Sequence, residues 1–233
     1  MSAAIATRAA APRLALFDLD GTLLAGDTDV LWCEFLIEEG VLDRETFAAA
    51  NREVADRYAR GEIAAVEFAA FYAATLAGRS PEQWSAQRER FVAVKIAPRI
   101  GAASYELVCR HRAEGDRIVL TTATNRFLTE PIAAHFGIVD LVATELEIAG
   151  NGTFTGRTAG VVNMREGKVA RLAAWLAEHG LDASSLASAT FYSDSINDLP
   201  LLCAVAAPVV VDPDSRLHAE ALRRGWPVMS LAG

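Results

Sequence analysis

Two aspartates, Asp18 and Asp20, directly follow the apolar run LALF and precede a glycine. Two like charges at the end of one strand repel each other, so we expect a positive group beside them. A hard cation such as Mg²⁺ takes oxygen ligands of this kind. An ionised carboxylate is also a nucleophile that needs no base to activate it. The stretch therefore indicates metal binding, covalent catalysis or both.

Two further strand-like runs also end in polar residues. The run RIVL is followed by TTATN, which contains Thr122, and the run TFY is followed by SDSIND, which contains Asp194. Ligands bind at the carboxyl ends of strands in open α/β sheets, so we expect these groups to meet Asp18 at one edge. Carboxylates from two strand ends, with no histidine or cysteine beside them, predict Mg²⁺ between Asp18 and Asp194.

A lysine, Lys168, lies at the start of a predicted helix in REGKVARL. Its compact ammonium and the Thr122 hydroxyl are suited to hold a phosphate, together with the free N–H groups of a helix start. Metal, lysine and nucleophile together predict phosphoryl transfer. Taken singly, each residue also has a structural interpretation, as a solvated lysine, a strand-end hydroxyl or a capped turn. Their shared placement at strand ends and helix starts favours chemistry.

The elements that would position these residues alternate between strands and helices. Residues 13–17 predict a buried strand, and beyond residue 97 short apolar runs alternate with helical patterns. Asn151-Gly152 predicts a hairpin, and Pro131 is expected to interrupt a helix near residues 125–136. We therefore predict an α/β fold, a Rossmann-like parallel sheet with helices on both faces.

Residues 28–96 carry helical patterns and no strand signal. Glycines at 40, 61 and 78 are placed as helix stops, and the stretch SPEQ predicts a capped helix start. We predict a helical-bundle cap domain at 28–96, inserted after the first strand of a core domain at 13–27 and 97–233. Residues 1–12 are interpreted as a disordered tail without the features of a signal peptide.

The composition limits the partners of the chain. Its formal net charge of −8 argues against nucleic acid or an anionic membrane surface. No stretch approaches the roughly 20 apolar residues that span a bilayer. The three cysteines form no CxxC pair, so they support neither a disulfide framework nor a zinc site and are interpreted as buried apolar residues. We expect a cytoplasmic protein that acts on a small molecule; the sequence does not give the oligomeric state.

The four motifs occur in an order that resembles the haloacid dehalogenase superfamily of phosphatases. They are DLDGT at 18–22, Thr122 after IVLT, GK at 167–168 and SDSINDLPLL at 193–202. The helical insertion looks like the small cap of that family. The stretches TATN, REGKV and YSDSINDLPLL are similar to the phosphoserine phosphatase branch, in particular to bacterial hydrolases of which some are histidinol phosphatases.

The resemblance implies an activity. It implies Mg²⁺-dependent hydrolysis of a small phosphorylated metabolite through an aspartyl-phosphate. The substrate would be an amine-bearing ester such as histidinol phosphate or phosphoserine, which places the enzyme in amino-acid biosynthesis.

The resemblance also implies a role for each residue. Asp18 would be the nucleophile, and Asp20 would be the general acid and then the base, with its backbone carbonyl on Mg²⁺. Asp18 and Asp194 would supply the carboxylates of the metal site, while Thr122 and Lys168 would hold the phosphoryl oxygens. Asp198 would position Lys168 or a metal-bound water. The other residues expected near the substrate or behind the site are Asn197, Asp27, Ala123 and Asn125.

Asp27 stands where phosphoserine phosphatases carry a glutamate that reads the substrate amine. Aspartate keeps the charge and shortens the reach, which is compatible with an amine-bearing substrate and less so with phosphoserine itself. Asp27 is equally suited to be the N-cap of a helix. Arg52, Arg57 and Arg60 are candidate clamps for a substrate carboxylate, but their spacing favours a solvated helix face.

Other functions use similar residues. A phospho-accepting signalling module has clustered aspartates, a hydroxyl, a lysine and Mg²⁺, but it is much shorter and has no counterpart of the helical insertion. A metal-free dehalogenase of the same fold does not need the acid Asp20. A phosphotransferase or phosphomutase of the same fold is not excluded by these residues.

Overall fold

A seven-stranded sheet forms the centre of the computed structural model, which describes residues 13–231. The strands follow the order β4-β3-β2-β1-β5-β6-β7. They are β1 (Leu14–Phe17), β2 (Arg117–Asn125), β3 (Asp140–Ile148), β4 (Phe154–Ala159), β5 (Thr190–Ser193), β6 (Ala207–Val211) and β7 (Val228–Met229). Neighbouring strands are parallel except β3 and β4, which form the predicted hairpin around Asn151-Gly152. The predicted α/β sheet is confirmed, while the predicted disordered tail at 1–12 lies outside the described residues.

The helices connect the strands and cover the sheet. They are α1 (Thr28–Glu38), α2 (Arg44–Arg60), α3 (Ala65–Ala74), α4 (Pro81–Phe91), α5 (Ala102–Ala113), α6 (Arg126–His135), α7 (Glu166–Glu178), α8 (Leu199–Ala204) and α9 (Ser215–Arg224). A π-helical turn at Val92–Ile96 continues α4, and a short 3₁₀ turn at Ile196–Asp198 precedes α8. Within residues 13–231, no helix combines the length and the apolar character that crossing a membrane requires.

In the strand order, β1 lies at the point where the direction in which successive strands are added to the sheet reverses. The chain builds β2 and β3 outward on one side of β1, and it then returns to place β5, β6 and β7 on the other side. Phe17, the last residue of β1, lies beside Leu120 of β2 and Tyr192 of β5. In sheets of this kind a crevice opens at the carboxyl ends of the strands next to the reversal. Asp18 therefore enters the crevice directly from β1.

The insertion between β1 and β2 is helical, as predicted. Ser80 and Gln83 form the capping box at the start of α4, with backbone-to-side-chain hydrogen bonds of 3.3 and 2.8 Å. The apolar residues of the insertion do not form an isolated core, since Trp32 and Phe91 belong to the same buried cluster as Phe17. Helices α1 and α4 are thus continuous with the core of the sheet. The division into core and cap domains stays a prediction.

The prediction that Pro131 interrupts its helix is wrong. Helix α6 runs unbroken from Arg126 to His135 with Pro131 inside it. Proline lacks the N–H that would bond to the carbonyl of Phe127, four residues earlier. Arg88 of α4 donates to that carbonyl at 3.0 Å instead. A side chain distant in sequence thereby replaces the lost helical hydrogen bond.

The expected burial of the cysteines holds at one position only. Cys33 is buried, whereas Cys109 and Cys203 are exposed. The buried face of α5 includes Val108 and His111, and Cys109 points away from it. Composition alone does not say which side of a helix faces the core.

Candidate active site

A cavity of about 220 Å³ lies at the carboxyl ends of β1, β2 and β5. Of the ten predicted site residues, all except Asn125 and Asn197 line it. Its full lining is Asp18, Asp20, Gly21, Gly26, Asp27, Tyr58, Phe68, Thr122, Ala123, Thr124, Met164, Lys168, Asp194, Ser195 and Asp198. The fold thus brings together residues that lie far apart in the sequence.

Lys168 links two of the carboxylates. Its Nζ donates to Asp18 Oδ1 at 2.9 Å and to Asp198 Oδ2 at 2.7 Å, and the residue is only 2% exposed. Ser193 also donates to Asp198 Oδ2, at 2.8 Å. Removing one partner of such a buried ion pair typically costs about 3–5 kcal/mol, because it leaves an uncompensated charge. Lys168 is therefore fixed next to Asp18.

The conformation of the loop before α7 brings Lys168 into the cavity. A Cβ on Gly167 would lie 2.1 Å from the carbonyl oxygen of Val162, so only glycine allows these two backbone segments to lie this close together. The buried Asn163 side chain donates to the carbonyls of Thr122 and Val142 at 2.8 and 2.9 Å. These contacts join the loop to β2 and β3, and they fix the position of Thr122 relative to the loop that carries Lys168.

Asp20 is held by threonines on both of its oxygens. Oδ1 accepts from the backbone N of Thr28 at 2.7 Å and from the Thr28 hydroxyl, and Oδ2 accepts from the Thr124 hydroxyl at 2.8 Å. Burial, with the charge of Asp27 nearby, raises the pKa of Asp20 to about 7. The side chain is therefore oriented and can carry a proton near neutral pH.

The Thr124 hydroxyl also faces a second buried carboxyl. Its oxygen lies 2.8 Å from Asp20 Oδ2 and 3.2 Å from Asp29 Oδ2. A hydroxyl has one proton to donate, so both contacts are hydrogen bonds only when one of the two carboxyls is protonated. Burial also raises the pKa of Asp29 well above its ordinary value. The geometry is consistent with one proton held between the two carboxyls.

Asp18 and Asp194 provide an all-oxygen position for a cation. Thr22 donates to Asp194 Oδ1 at 3.0 Å, and across residues 13–231 no basic side chain forms an ion pair with Asp194. Burial and the charge of Asp18 raise the pKa of Asp194 well above its ordinary value. Gly21 adopts φ +76°, and a Cβ there would lie 2.1 Å from Asp194 Oδ2. Asp18 shares the charge of Lys168 with Asp198, and Asp194 has no basic partner among the described residues, so the two carboxylates together fit a hard divalent ion.

A second group of potential metal ligands lies at the amino end of β2, away from the cavity. It consists of His111, Glu114 and Asp116. Arg13 pairs with both carboxylates at 3.0 Å. Both ring nitrogens of His111 are also occupied, by Asp116 and by the hydroxyl of Tyr192. Since the protein itself supplies these partners, the group is structural.

Asp27 is the N-cap of α1, as one of its two sequence interpretations predicts, and its role towards a substrate amine stays a prediction. It accepts a hydrogen bond of 2.9 Å as the N-cap of α1, and it lines the cavity. Burial raises its pKa to about 6. Asn125 and Asn197 differ from expectation, because neither lines the cavity. Asn125 caps α6 instead, and Asn197 accepts from Arg165 Nε at 3.0 Å.

Three apolar lining residues had no functional signal in the sequence. Tyr58 of α2, Phe68 of α3 and Met164 of the loop before α7 face the cavity. The rings of Tyr58 and Phe68 lie 4.3 Å apart and 30° from parallel. Aromatic residues at helical spacing usually belong to a core, so only the approach of α2 and α3 to the strand ends distinguishes them. Burial and four nearby aspartates raise the pKa of Tyr58 well above its ordinary value.

The candidate clamp arginines do not reach the cavity. Arg57 pairs with Glu67 at 2.7 Å and Arg60 with Glu62 at 2.8 Å, at largely exposed positions, and Arg52 is exposed. None of the three lines the cavity. The solvated-face interpretation agrees with this placement.

Two other arginines join the end of α2 to the rest of the protein. Arg216 of α9 donates to the carbonyls of residues 59 and 60 at 3.1 and 3.0 Å. Arg165 donates to the carbonyls of residues 61 and 63 at 3.5 and 3.4 Å. The carbonyls at the end of a helix carry partial negative charge and attract cations. These bonds hold the end of α2, and with it the lining residue Tyr58, next to the cavity.

A family model and several known proteins are similar to this chain. A family model described as haloacid dehalogenase-like hydrolase matches residues 15–202. A histidinol-phosphatase from Neisseria meningitidis is 39% identical over 217 residues, which are 93% of this chain and 98% of that protein. A phosphoserine phosphatase from Mycobacterium tuberculosis is 31% identical, over 92% of this chain and 69% of that protein. A crystal structure of a protein of unknown function from Bordetella pertussis superposes with a TM-score of 0.88 at 43% identity, over 94% of this chain and 98% of that one.

Proposed function

The chain belongs to the haloacid dehalogenase-like hydrolase family, and from that premise we propose that it is a Mg²⁺-dependent phosphomonoesterase acting through an aspartyl-phosphate at Asp18. The observation that carries the proposal is the cavity itself. Asp18, Asp20, Thr122, Lys168 and Asp194 come from four separate stretches of the chain and line the same space. Each belongs to a residue type that phosphoryl transfer requires.

Asp18 is the proposed nucleophile. Its carboxylate oxygen forms a bond to phosphorus while the bond between phosphorus and the ester oxygen breaks. Lys168, at 2.9 Å from Asp18 Oδ1, offsets the negative charge that gathers around the phosphoryl group. Thr122 of β2 lines the cavity and would donate its hydroxyl to a phosphoryl oxygen. Asp198 keeps the ammonium of Lys168 in position.

Asp20 is the proposed general acid and base. Its proton passes to the leaving alcohol oxygen as the ester bond breaks. In the second step Asp20 takes a proton from water, whose oxygen attacks the phosphorus and releases Asp18 and inorganic phosphate. The threonine hydrogen bonds fix the carboxyl, and its raised pKa suits proton transfer near neutral pH.

Asp18, Asp194 and the backbone carbonyl of Asp20 are the proposed ligands of Mg²⁺. When bound, the ion would offset the charge of these groups and of the phosphoryl oxygens. Support comes from the all-oxygen donor set, from the absence of a basic partner for Asp194 among residues 13–231, and from the close approach of Gly21. Members of this family of phosphatases generally use Mg²⁺.

Gly21 offers a test of the metal site. We expect Gly21→Ala to raise the Mg²⁺ concentration for half-maximal activity by about 10- to 100-fold, because the new methyl group would displace Asp194. Gly40→Ala is the matched control: Gly40 has a similar φ of +69°, but nothing lies within 4 Å of its Cβ position. Titration of activity with Mg²⁺ and thermal melting of both variants give the comparison. Equal Mg²⁺ dependence of the two variants would contradict the proposed placement of the ion.

The proposed substrate is a small amine-bearing phosphate ester, with histidinol phosphate first. The match to the Neisseria meningitidis histidinol-phosphatase spans 93% of this chain and 98% of that protein. The Asp27 carboxylate lines the cavity and would neutralise a substrate amine bound there. Phosphoserine is the second candidate because of the Mycobacterium tuberculosis relative. Either substrate would place the enzyme in amino-acid biosynthesis.

Phosphate release from a panel of esters tests the activity. The panel contains histidinol phosphate, phosphoserine, phosphothreonine, sugar phosphates and p-nitrophenyl phosphate, each with Mg²⁺ and with EDTA. We expect rapid release from one amine-bearing ester and at least about 100-fold less after chelation. Release that EDTA does not change would contradict the metal-dependent mechanism. Retention of phosphate on the protein without turnover would indicate a signalling module, and transfer to a second alcohol would indicate a phosphotransferase.

A further inference from the structure

The cavity has a strongly uneven charge. Five carboxylates and one ammonium line it. Lys168 is already engaged by Asp18 and Asp198 at 2.9 and 2.7 Å. A Mg²⁺ ion and a phosphate group bring charges that largely cancel each other. The space beyond the phosphate therefore stays negative, which attracts a cationic leaving group and repels an anionic one.

No arginine among residues 13–231 lines the cavity. Arg165 follows the lining residue Met164, and it donates to Asn197 and to the carbonyls that follow α2. Arg99 lies 3.7 Å from the Cβ position of the lining residue Gly26, and it donates to the carbonyl of Lys95 at 2.8 Å. A substrate carboxylate would thus lose its water on entering the cavity without gaining a cationic partner. The desolvation free energy would exceed any interaction gained there.

Part of the cavity wall is aromatic. Tyr58 and Phe68 stack at 4.3 Å, with Met164 beside them on the cavity wall. Phe68 is 2% exposed and packs on Tyr72, so its ring is held in place by the surrounding core. Aromatic faces attract planar rings and cations. Asp27 adds a carboxylate to the same cavity lining.

From these contacts, and resting on the proposed function, we infer that Tyr58, Phe68 and Asp27 form a leaving-group pocket for the phosphate ester of a carboxylate-free amino alcohol that carries a planar ring. The aromatic wall packs against the ring of the substrate, and Asp27 neutralises its amine. Amino-acid phosphates bind poorly because their carboxylate finds no basic partner. Histidinol phosphate meets these conditions, and phosphoserine does not.

The test compares kcat/KM for histidinol phosphate, phosphoethanolamine and phosphoserine. Phosphoethanolamine has the amine without a ring, and phosphoserine adds a carboxylate to it. For the unmodified protein we expect histidinol phosphate to exceed phosphoethanolamine by at least about tenfold, and phosphoethanolamine to exceed phosphoserine. Phosphoserine turned over as well as phosphoethanolamine would overturn the inferred rejection of carboxylates.

Substitutions in the aromatic wall test whether it causes the preference for histidinol phosphate over phosphoethanolamine. We expect Tyr58→Leu and Phe68→Leu each to reduce the histidinol phosphate to phosphoethanolamine ratio by about tenfold. Phe71→Leu is the matched control, since Phe71 lies on α3 near Phe68 but does not line the cavity. Leucine preserves most of the volume, which protects folding, and circular dichroism checks it. An unchanged ratio in both wall variants would overturn the inference.

Binding of the product alcohols separates this inference from the proposed function. Calorimetric titration of the intact protein with histidinol and with serine needs no turnover. We expect histidinol to bind at least about tenfold more tightly than serine. Absence of turnover for every ester would overturn the proposed function, whereas equal binding of the two alcohols would overturn the inferred pocket even if the esters are hydrolysed.

Discussion

Replacing Asp18 by asparagine is expected to abolish phosphate release, with a loss of more than about 10³-fold in kcat. The amide has nearly the shape of the carboxylate and keeps an oxygen that accepts from Lys168, whose second partner Asp198 is unchanged. The fold should therefore persist. The amide oxygen is too weak a nucleophile to attack phosphorus. Phosphate release under saturating Mg²⁺ measures the loss, and thermal melting checks the fold.

The control for this variant is a second change from aspartate to asparagine. Asp43 caps α2 at an exposed position outside the cavity, and asparagine is an equally good N-cap. Asp43→Asn should leave kcat unchanged. Mass spectrometry of the acid-quenched enzyme should detect phosphate on the unmodified protein and none on Asp18→Asn. A folded Asp18→Asn protein with most of its activity would remove Asp18 from the role of nucleophile.

Replacing Asp20 by asparagine is expected to lower kcat for an alkyl phosphate ester by about 10²- to 10⁴-fold. The amide oxygen still accepts from the backbone N of Thr28, so the side chain stays in place, but it has no proton to give to the leaving alcohol. With p-nitrophenyl phosphate the loss should be much smaller, because p-nitrophenolate leaves without protonation. The measurement is the loss in kcat for the alkyl ester divided by the loss in kcat for p-nitrophenyl phosphate, with both esters assayed on one preparation of the variant.

Equal losses on both esters would contradict the acid role of Asp20. Such a result would point to displacement of the loop that carries Asp18 and Gly21. Thr124→Val helps to separate the two explanations, since it removes the hydroxyl that bonds to Asp20 Oδ2 and keeps both carboxyls. If the oriented proton matters, this variant should also affect the alkyl ester more than p-nitrophenyl phosphate.

The sequence by itself determined the fold class and most of the cavity lining. Apolar runs that end in Asp18, Thr122 and Asp194 mark strands whose carboxyl ends meet, and a parallel sheet has only one such edge. Caps such as Ser80 with Gln83 depend on residues three positions apart. Signals of this kind are local, so they can be read from the order of residues.

The tertiary structure decided which residues, distant in sequence, form hydrogen bonds and contacts with each locally predicted element. Thr124 lies 104 residues from Asp20, and the two meet only because β2 pairs with β1. Arg88 completes the helix around Pro131, and α2 and α3 bring Tyr58 and Phe68 to the strand ends. Residue type and spacing define what a side chain can do. Which groups surround it, and so its charge, its orientation and the ligand it meets, depends on packing between segments that no local pattern encodes.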